Sequence, residues 1–155
     1  PIASRLPAMS VTITRLTRAT KEALRDVNSL LRQEMIHDPK AYKKVSLAGL
    51  RDMVQNKNIL FGVVRDKDHV IGMGLVIIIT KPRGRTGYLE EMVVDEAYRG
   101  RGIGTDLTKK LIAFARAKKV SHIELTSRPH RTAAIALYES VGFKQKETNV
   151  YRLVL

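Results

Sequence analysis

The sequence has no cysteine and no tryptophan among its 155 residues, and aromatic residues make up only 5% of it. Without cysteine there is no disulfide, thiolate metal site, iron–sulfur cluster or cysteine nucleophile, so a reducing compartment is compatible with the chain. The longest apolar run, residues 70–79, contains two glycines and falls well short of the roughly 18–20 apolar residues of a membrane helix. We therefore expect a cytoplasmic protein with no membrane span and no membrane partner.

Acidic residues are also few: 15 Asp and Glu stand against 28 Lys and Arg, which gives a formal net charge of +13. Such a surface attracts nucleic acids, anionic lipids and phosphorylated ligands alike, so charge alone does not choose a partner. The 44% of hydrophobic residues suffice for the core of one domain. Residues 1–10 are expected to form an N-terminal extension, and the first eight are expected to be non-native because Met9 is a natural start.

Hydrophobic patterning predicts an alternation of strands and helices with no internal repeat. Strands are expected at about 11–14, 59–65, 70–80, 87–94 and 123–126, with two more within 143–155. Helices are expected at about 21–35, 46–56, 104–118 and 131–140, with Thr20 and Ser46 as N-caps of the first two. The pattern indicates an α/β (α+β) fold in which about four helices pack on a mixed sheet of about seven strands.

A glycine-rich basic loop joins the end of one predicted strand to the start of a helix, at residues 98–105. A helix N-terminus with alternating glycines can bind an anion closely, and Arg99 and Arg101 add positive charge there. A pyrophosphate-sized ligand therefore fits this loop. The G-x-G-x-G spacing matches neither the dinucleotide fingerprint nor the P-loop. The alternative is that the glycines only form a tight turn.

Residues 90–104 strongly resemble the acetyl-CoA motif of the GNAT family of N-acetyltransferases, R/Q-x-x-G-x-G/A after a strand, with Arg99, Gly102 and Gly104 in its defining positions. Residues 134–143 resemble the second signature of that family, A-x-x-L-Y-x-x-x-G-F. The resemblance covers about 11–155 and is clearest from 88 to 143. It implies a GNAT-like, mostly antiparallel sheet, a single N-acetyltransferase domain over 11–155, and acetyl-CoA as cosubstrate.

The resemblance also implies which residues bind the cofactor. In the family, pantetheine bonds to the backbone of the strand before the loop, at a bulge, and the Met92 N–H would polarise the thioester carbonyl. One position departs from the second signature, because Arg131 stands where an asparagine often contacts pantetheine. Arg131 either reaches a cofactor phosphate or faces solvent. The full set of implied cofactor-binding residues is Met92, Val93, Val94, Arg99, Gly100, Arg101, Gly102, Ile103, Gly104, Thr105 and Arg131.

Two residues are candidates for acid–base chemistry. An amine nucleophile must lose a proton, and Glu90, expected to point to the opposite face from Glu91, is the candidate base, directly or through an ordered water. Tyr138, in the Leu-Tyr of the second signature, is the candidate acid for the departing CoA thiolate. The alternatives are an ordinary solvated strand edge for the two glutamates and simple packing on the sheet for Tyr138.

Other functions are weighed against this one. His37, His69, His122 and His130 show no metal-ligand spacing, so no metal is expected. Few aromatics accompany the basic residues, so nucleic-acid binding is at most secondary. An inactive CoA-binding sensor module is a further alternative, against which Glu90 and Tyr138 argue. The acceptor is expected to be a primary amine of a small molecule or peptide, and a homodimer is compatible with the family.

Overall fold

The computed structural model describes residues 10–155, so the expectations about residues 1–8 lie outside the described residues. Five strands and four α-helices are found in this range. The strands are β1 (Val11–Arg15), β2 (Ile59–Asp66), β3 (His69–Lys81), β4 (Gly84–Val94) and β5 (Val120–Glu124). The helices are α1 (Lys21–Glu34), α2 (Leu47–Gln55), α3 (Ile103–Ala117) and α4 (Thr132–Ser140), with short 3₁₀ turns at Met35–His37 and Glu96–Tyr98.

Local signals account for where the first two helices begin. The Thr20 hydroxyl oxygen accepts a hydrogen bond from the Ala23 N–H at 3.1 Å. The Ser46 hydroxyl oxygen accepts one from the Gly49 N–H at 3.0 Å. Each bond satisfies one of the amides that the first turn of a helix leaves unpaired. Both predicted N-caps are therefore confirmed.

The strands form one sheet in the order β1-β2-β3-β4-β5. The first four pair antiparallel with their neighbours, and β5 pairs parallel with β4. Helices cover both faces, which confirms the predicted mixed α/β class. On the face that carries α1 and α2 the core is built on Val27, Leu30, Leu50, Phe61, Val63, Met73, Leu75 and Val93. On the face that carries α3 and α4 it is built on Leu60, Val64, Val76, Leu89, Ile103, Leu107 and Leu111.

The two strands predicted within residues 143–155 are wrong, and the sheet of the described residues has five strands rather than about seven. Residues 144–149 are all polar and offer no apolar face for a strand to bury. The apolar residues that follow stay exposed, Val150 at 75% and Leu153 at 82%. A segment with strand propensity forms a strand only where a neighbouring strand supplies hydrogen bonds and packing. In the described residues no strand lies beside the C-terminal segment.

None of the helices within residues 10–155 is long and apolar enough to cross a membrane.

Candidate functional site

The sheet opens between β4 and β5, because only the first part of β4 pairs with β5. The pairing of β4 with β5 ends at Tyr88 and Glu124, whereas β4 continues to Val94. Over residues 89–94, β4 has a strand beside it only on the side of β3. This leaves an opening in the sheet, bordered by backbone groups of β4 that no strand of the described chain pairs with. The predicted cofactor-binding residues Met92, Val93 and Val94 all lie along it.

A β-bulge interrupts β4 at the middle of this opening. Leu75 pairs with Glu90 and Met73 pairs with Val93, so Gly74 alone faces both Glu91 and Met92. Glu91 adopts a left-handed conformation with φ of 53°. The bulge lies where the family resemblance implies one. Extra residues of this kind bend a strand and re-aim its side chains next to functional sites.

The bulge lies directly after Glu90 and includes Glu91. Glu90 pairs with Leu75, a core residue of the α1 face, and therefore lies on that face. Glu91 follows it, and its charge interacts with that of Glu34 at the end of α1. Because the bulge interrupts the strict alternation of the strand, the expected placement of Glu90 and Glu91 on opposite faces stays a prediction.

Burial distinguishes the two carboxylates. Glu90 is exposed, whereas Glu91 is half-buried. Burial raises the pKa of the Glu91 carboxyl above its ordinary value, and the negative charges of Glu34 and then Glu90 raise it further. The end of α1 and the bulge of β4 thus bring three carboxylates together beside the opening. Glu34 is paired with Arg131, so the uncompensated negative charge of this group lies on Glu90 and Glu91.

Glu34 is the residue of this region that the sequence analysis missed. It is the last residue of α1, its side chain is only 14% exposed, and its Oε1 accepts a hydrogen bond from Arg131 Nη1 at 3.1 Å. Its other oxygen, Oε2, is buried without a hydrogen-bond partner. No local signal marks Glu34, because its partner lies 97 residues further along the chain.

Gln33 fixes this end of α1 against the end of β4. Its side-chain Nε2 donates to Asp95 Oδ2 at 3.0 Å, and its Oε1 accepts from the Glu96 N–H at 3.0 Å. Because one side-chain amide both donates and accepts a hydrogen bond here, it fixes the distance and the orientation of the end of α1 relative to residues 95–96. The position of Glu34 beside the bulge is therefore well defined.

Tyr138 approaches the same region from α4. Its half-buried ring packs edge-on against Phe143, with ring centroids 5.8 Å apart. Burial raises the pKa of the Tyr138 phenol above 10.0, and Glu34 and Glu90 also raise it, whereas Arg131 lowers it. The phenol is therefore protonated at neutral pH and can donate a hydrogen bond or a proton. The structure thus brings Tyr138 into the electrostatic neighbourhood of Glu90.

The loop after β4 has the backbone of an anion site. Gly100 and Gly102 adopt positive φ angles of 72° and 78°, and a Cβ at either position would meet no atom within 4 Å. These two glycines are therefore required by the backbone conformation and not by crowding. Gly102 is the N-cap of α3 and leaves the first-turn amides without a side-chain cap, as an anion-binding helix N-terminus does. The residues present fit a phosphate group.

The third glycine of the loop has a different role. A Cβ at Gly104 would lie 2.9 Å from Leu137 Cδ1 of α4. Gly104 therefore permits α3 and α4 to approach closely, in addition to offering its N–H at the start of the helix. Ile103 beside it is buried in the core of the α3 face, so only its backbone can face a ligand.

The two arginines of the loop bond to its own backbone. Arg99 Nε donates to the Val94 carbonyl oxygen at 2.9 Å, and Arg101 Nη2 donates to the Ala97 carbonyl oxygen at 3.1 Å. Arg101 also lies over the Tyr98 ring, 5.7 Å from its centroid. These contacts hold both positive charges beside the N-terminus of α3.

Within residues 10–155 no group of three or more histidine, aspartate or glutamate side chains is arranged to hold a metal ion.

A sequence model of the acetyltransferase (GNAT) family matches residues 24–143. Among curated proteins, the chain is similar to the N-alpha-acetyltransferase RimI of Mycobacterium tuberculosis, with 47% identity over 66 residues that cover 40% of each protein. The chain spans less than half the length of the curated relatives it matches.

Among solved structures, it is similar to an acetyltransferase of Trypanosoma brucei, with a TM-score of 0.73, 26% identity, and coverage of 94% of this chain and 99% of that one. A transcriptional regulator from Bacillus halodurans gives a TM-score of 0.77 at 24% identity, covering 93% and 99% of the two chains, and shows the fold alone.

Proposed function

Because the chain belongs to the acetyltransferase (GNAT) family, we propose that it is an acetyl-CoA-dependent N-acetyltransferase that acts on a primary amine. One observation carries this proposal: the unpaired edge of β4 runs past the bulge directly into the glycine loop at the N-terminus of α3. An extended ligand with a polar arm and a pyrophosphate can follow that path. The proposal treats residues 11–155 as one N-acetyltransferase domain in the cytoplasm.

Acetyl-CoA, when bound, supplies an activated acetyl thioester. The backbone of Met92, Val93 and Val94 would hold its pantetheine arm as a neighbouring strand would. The amides of residues 101–105 would hold the pyrophosphate, and Arg99 and Arg101 would stabilise its charge. Support comes from the positive φ of Gly100 and Gly102, which turns the backbone amides of the loop in a way that ordinary residues rarely permit.

The proposed reaction is a direct transfer. The nitrogen of the neutral amine attacks the thioester carbonyl carbon, and the carbon–sulfur bond breaks. Glu90 takes the proton from the amine nitrogen, directly or through an ordered water, and the Tyr138 phenol gives a proton to the CoA sulfur. An alkylamine is mostly protonated at neutral pH, so a proton acceptor must lie near the acceptor nitrogen. The carboxylate of Glu91 would help to attract that cation toward Glu90, whereas the charge of Glu34 is paired with Arg131.

The acceptor is proposed to be a primary amine on a small metabolite, an antibiotic or a peptide. The name of the RimI relative specifies an N-alpha-acetyltransferase, so peptides with free N-termini belong in the first set of acceptors to be tested. Small cationic amines form the second set, because the carboxylates beside β4 favour positive charge.

Calorimetry and turnover test the proposal together. Titration with acetyl-CoA should give one-to-one binding, and 3′-dephospho-CoA, which lacks one phosphate, should bind more weakly. With a responsive acceptor, Glu90→Gln and Tyr138→Phe should each lower kcat by roughly 10²- to 10⁴-fold without loss of acetyl-CoA binding. Glu96→Gln and Tyr151→Phe are matched controls, since both side chains are exposed.

Each other outcome has a distinct meaning. Binding of acetyl-CoA without turnover of any amine would favour the CoA-sensor alternative. No binding at millimolar acetyl-CoA by folded protein would overturn the proposal and leave the glycine loop as a structural turn. Wild-type turnover by Tyr138→Phe would remove only the assignment of Tyr138.

A further inference from the structure

The start of α4 is held by an ion pair to the opposite side of the site. Arg131 is the N-cap residue of α4, and its Nη1 donates to Oε1 of Glu34, the last residue of α1, at 3.1 Å. The Arg131 side chain is 46% exposed, whereas that of Glu34 is only 14% exposed. The partner that fixes the geometry is therefore Glu34, on a helix end that Gln33 already ties to β4.

Helix α4 has little else to fix its orientation. None of its residues is buried, and its described contacts to the core come mainly from Leu137, beside Gly104, and from Tyr138, whose ring meets Phe143. Arg131 lies directly before the first residue of α4, and its positive charge acts on the phenol of Tyr138 within that helix. The ion pair with Glu34 thus holds the N-terminus of the helix that carries the phenol.

We infer that Glu34 and Arg131 are paired positioning residues for Tyr138, which fix α4 beside the acceptor end of β4 and act on the phenol with opposite charges. The inference rests on the proposed function, in which Tyr138 is the general acid. It gives Arg131 a role other than the two alternatives of the sequence analysis, which were contact with a cofactor phosphate and exposure to solvent.

The charged groups around the phenol determine the direction in which each variant should shift the pKa of Tyr138. Glu34 from α1 and Glu90 from β4 favour the neutral phenol and raise its pKa, whereas Arg131 from α4 favours the phenolate and lowers it. Removing the Glu34 charge leaves Arg131 uncompensated and should lower the pKa of Tyr138. Removing the Arg131 charge leaves Glu34 uncompensated and should raise it.

The test compares Glu34→Gln with Arg131→Met in the full chain. Both variants should lower kcat by about 10- to 100-fold, with little change in KM for acetyl-CoA, because misplacement of a catalytic group slows the chemical step. The alkaline limb of the kcat–pH profile should move to lower pH in Glu34→Gln and to higher pH in Arg131→Met. The double variant should lie between them. Glu139→Gln and Arg116→Met, both exposed, are the matched controls.

Direct titration separates this inference from the proposed function. In protein with ¹³C-labelled tyrosine, the NMR signal of each Cζ carbon reports the protonation of its phenol. The signal that disappears in Tyr138→Phe is the signal of Tyr138, one of five tyrosines. Opposite movements of that titration in the two variants, over the pH range in which circular dichroism shows folded protein, support the inference even if no acceptor amine is found.

Movement in the same direction, or no movement, would overturn the inference even in a fully active enzyme. Conservative variants guard against misfolding. Glu34→Asp and Arg131→Lys keep both charges and should retain the wild-type position of the alkaline limb, whatever their effect on rate. If the ion pair had only a structural role, all four variants would lose kcat equally and the alkaline limb of the kcat–pH profile would not move. That result would also overturn the inference.

Discussion

Gly74 and Met92 share one space on the α3 face of the sheet. A Cβ at position 74 would overlap the Met92 sulfur and would lie 2.9 Å from Leu111 Cδ1. Gly74 is also the residue that faces both Glu91 and Met92 across the bulge. The absence of a side chain on β3 therefore makes room for the side chain that the bulge turns inward on β4.

Gly74→Ala should destabilise the protein by about 1–3 kcal/mol, because the added methyl group overpacks the core at the bulge. Thermal unfolding followed by circular dichroism should show a fall in Tm of about 2–4 °C for each kcal/mol. Met92→Ala should reduce the effect of the alanine at 74 when the two changes are combined. Gly49→Ala is the control, since its nearest contact is the Ser46 hydroxyl at 3.3 Å. An equal fall in Tm in Gly74→Ala and in Gly49→Ala would contradict the prediction.

The raised pKa of Glu91 predicts how its removal depends on pH. The folded state holds the Glu91 proton to higher pH than the unfolded chain does, so this group's contribution to stability declines as pH rises from the ordinary value of 4.5 through the raised value. Glu91→Gln removes that dependence. The Tm of the variant relative to wild type should therefore increase between pH 4 and pH 8.

Glu147→Gln serves as the control for this comparison, because Glu147 is an exposed carboxylate of the C-terminal segment. It should show no comparable gain at high pH. A Tm difference between Glu91→Gln and wild type that stays constant across the same range would show that burial of the Glu91 charge does not affect folding.

Loss of the Arg99 guanidinium should weaken acetyl-CoA binding more than an equal loss of charge elsewhere. Arg99 is fixed by its bond to the Val94 carbonyl, whereas Arg83 lies exposed in the turn between β3 and β4. A charge-assisted hydrogen bond contributes about 1.5–3 kcal/mol, so Arg99→Gln should raise Kd at least about 10-fold. Arg83→Gln should have little effect.

Calorimetry at two salt concentrations checks the cause of this difference. The gap between the Arg99 and Arg83 variants should persist in higher salt if Arg99 contacts a phosphate directly, because screening mainly removes long-range attraction. Arg99→Lys should fall between wild type and Arg99→Gln, since it keeps the charge and loses the planar fork. If the two glutamine variants bind acetyl-CoA equally well, Arg99 has no specific contact.

Local sequence signals predict most of the helices and strands, because those elements depend on near neighbours. The caps at Thr20 and Ser46 and the apolar stripe of α1 require contacts within a few residues. The final strands are mispredicted for the opposite reason: a mostly apolar segment such as 150–155 becomes a strand only when a distant strand pairs with it.

The site shows the same division. The glycine loop can be predicted from the sequence because it consists of consecutive residues at a helix N-terminus. The role of Glu34 cannot be predicted in this way. Its position depends on the packing of α1 against the sheet and on Arg131, which lies 97 residues further along the chain. The bulge itself is not predicted from local residues, because it depends on the register between β3 and β4.

The sheet would be complete without Glu91. If that residue were deleted, Met92 would pair with Gly74 and Val93 would still pair with Met73, so every later side chain of β4 would keep its present face. The chain nevertheless holds a non-glycine residue at φ of 53°, a conformation that costs about 1–2 kcal/mol. A regular pairing of β3 with β4 does not require this extra residue, and the proposed function gives it one role, since the bulge lies on the edge along which acetyl-CoA would bind.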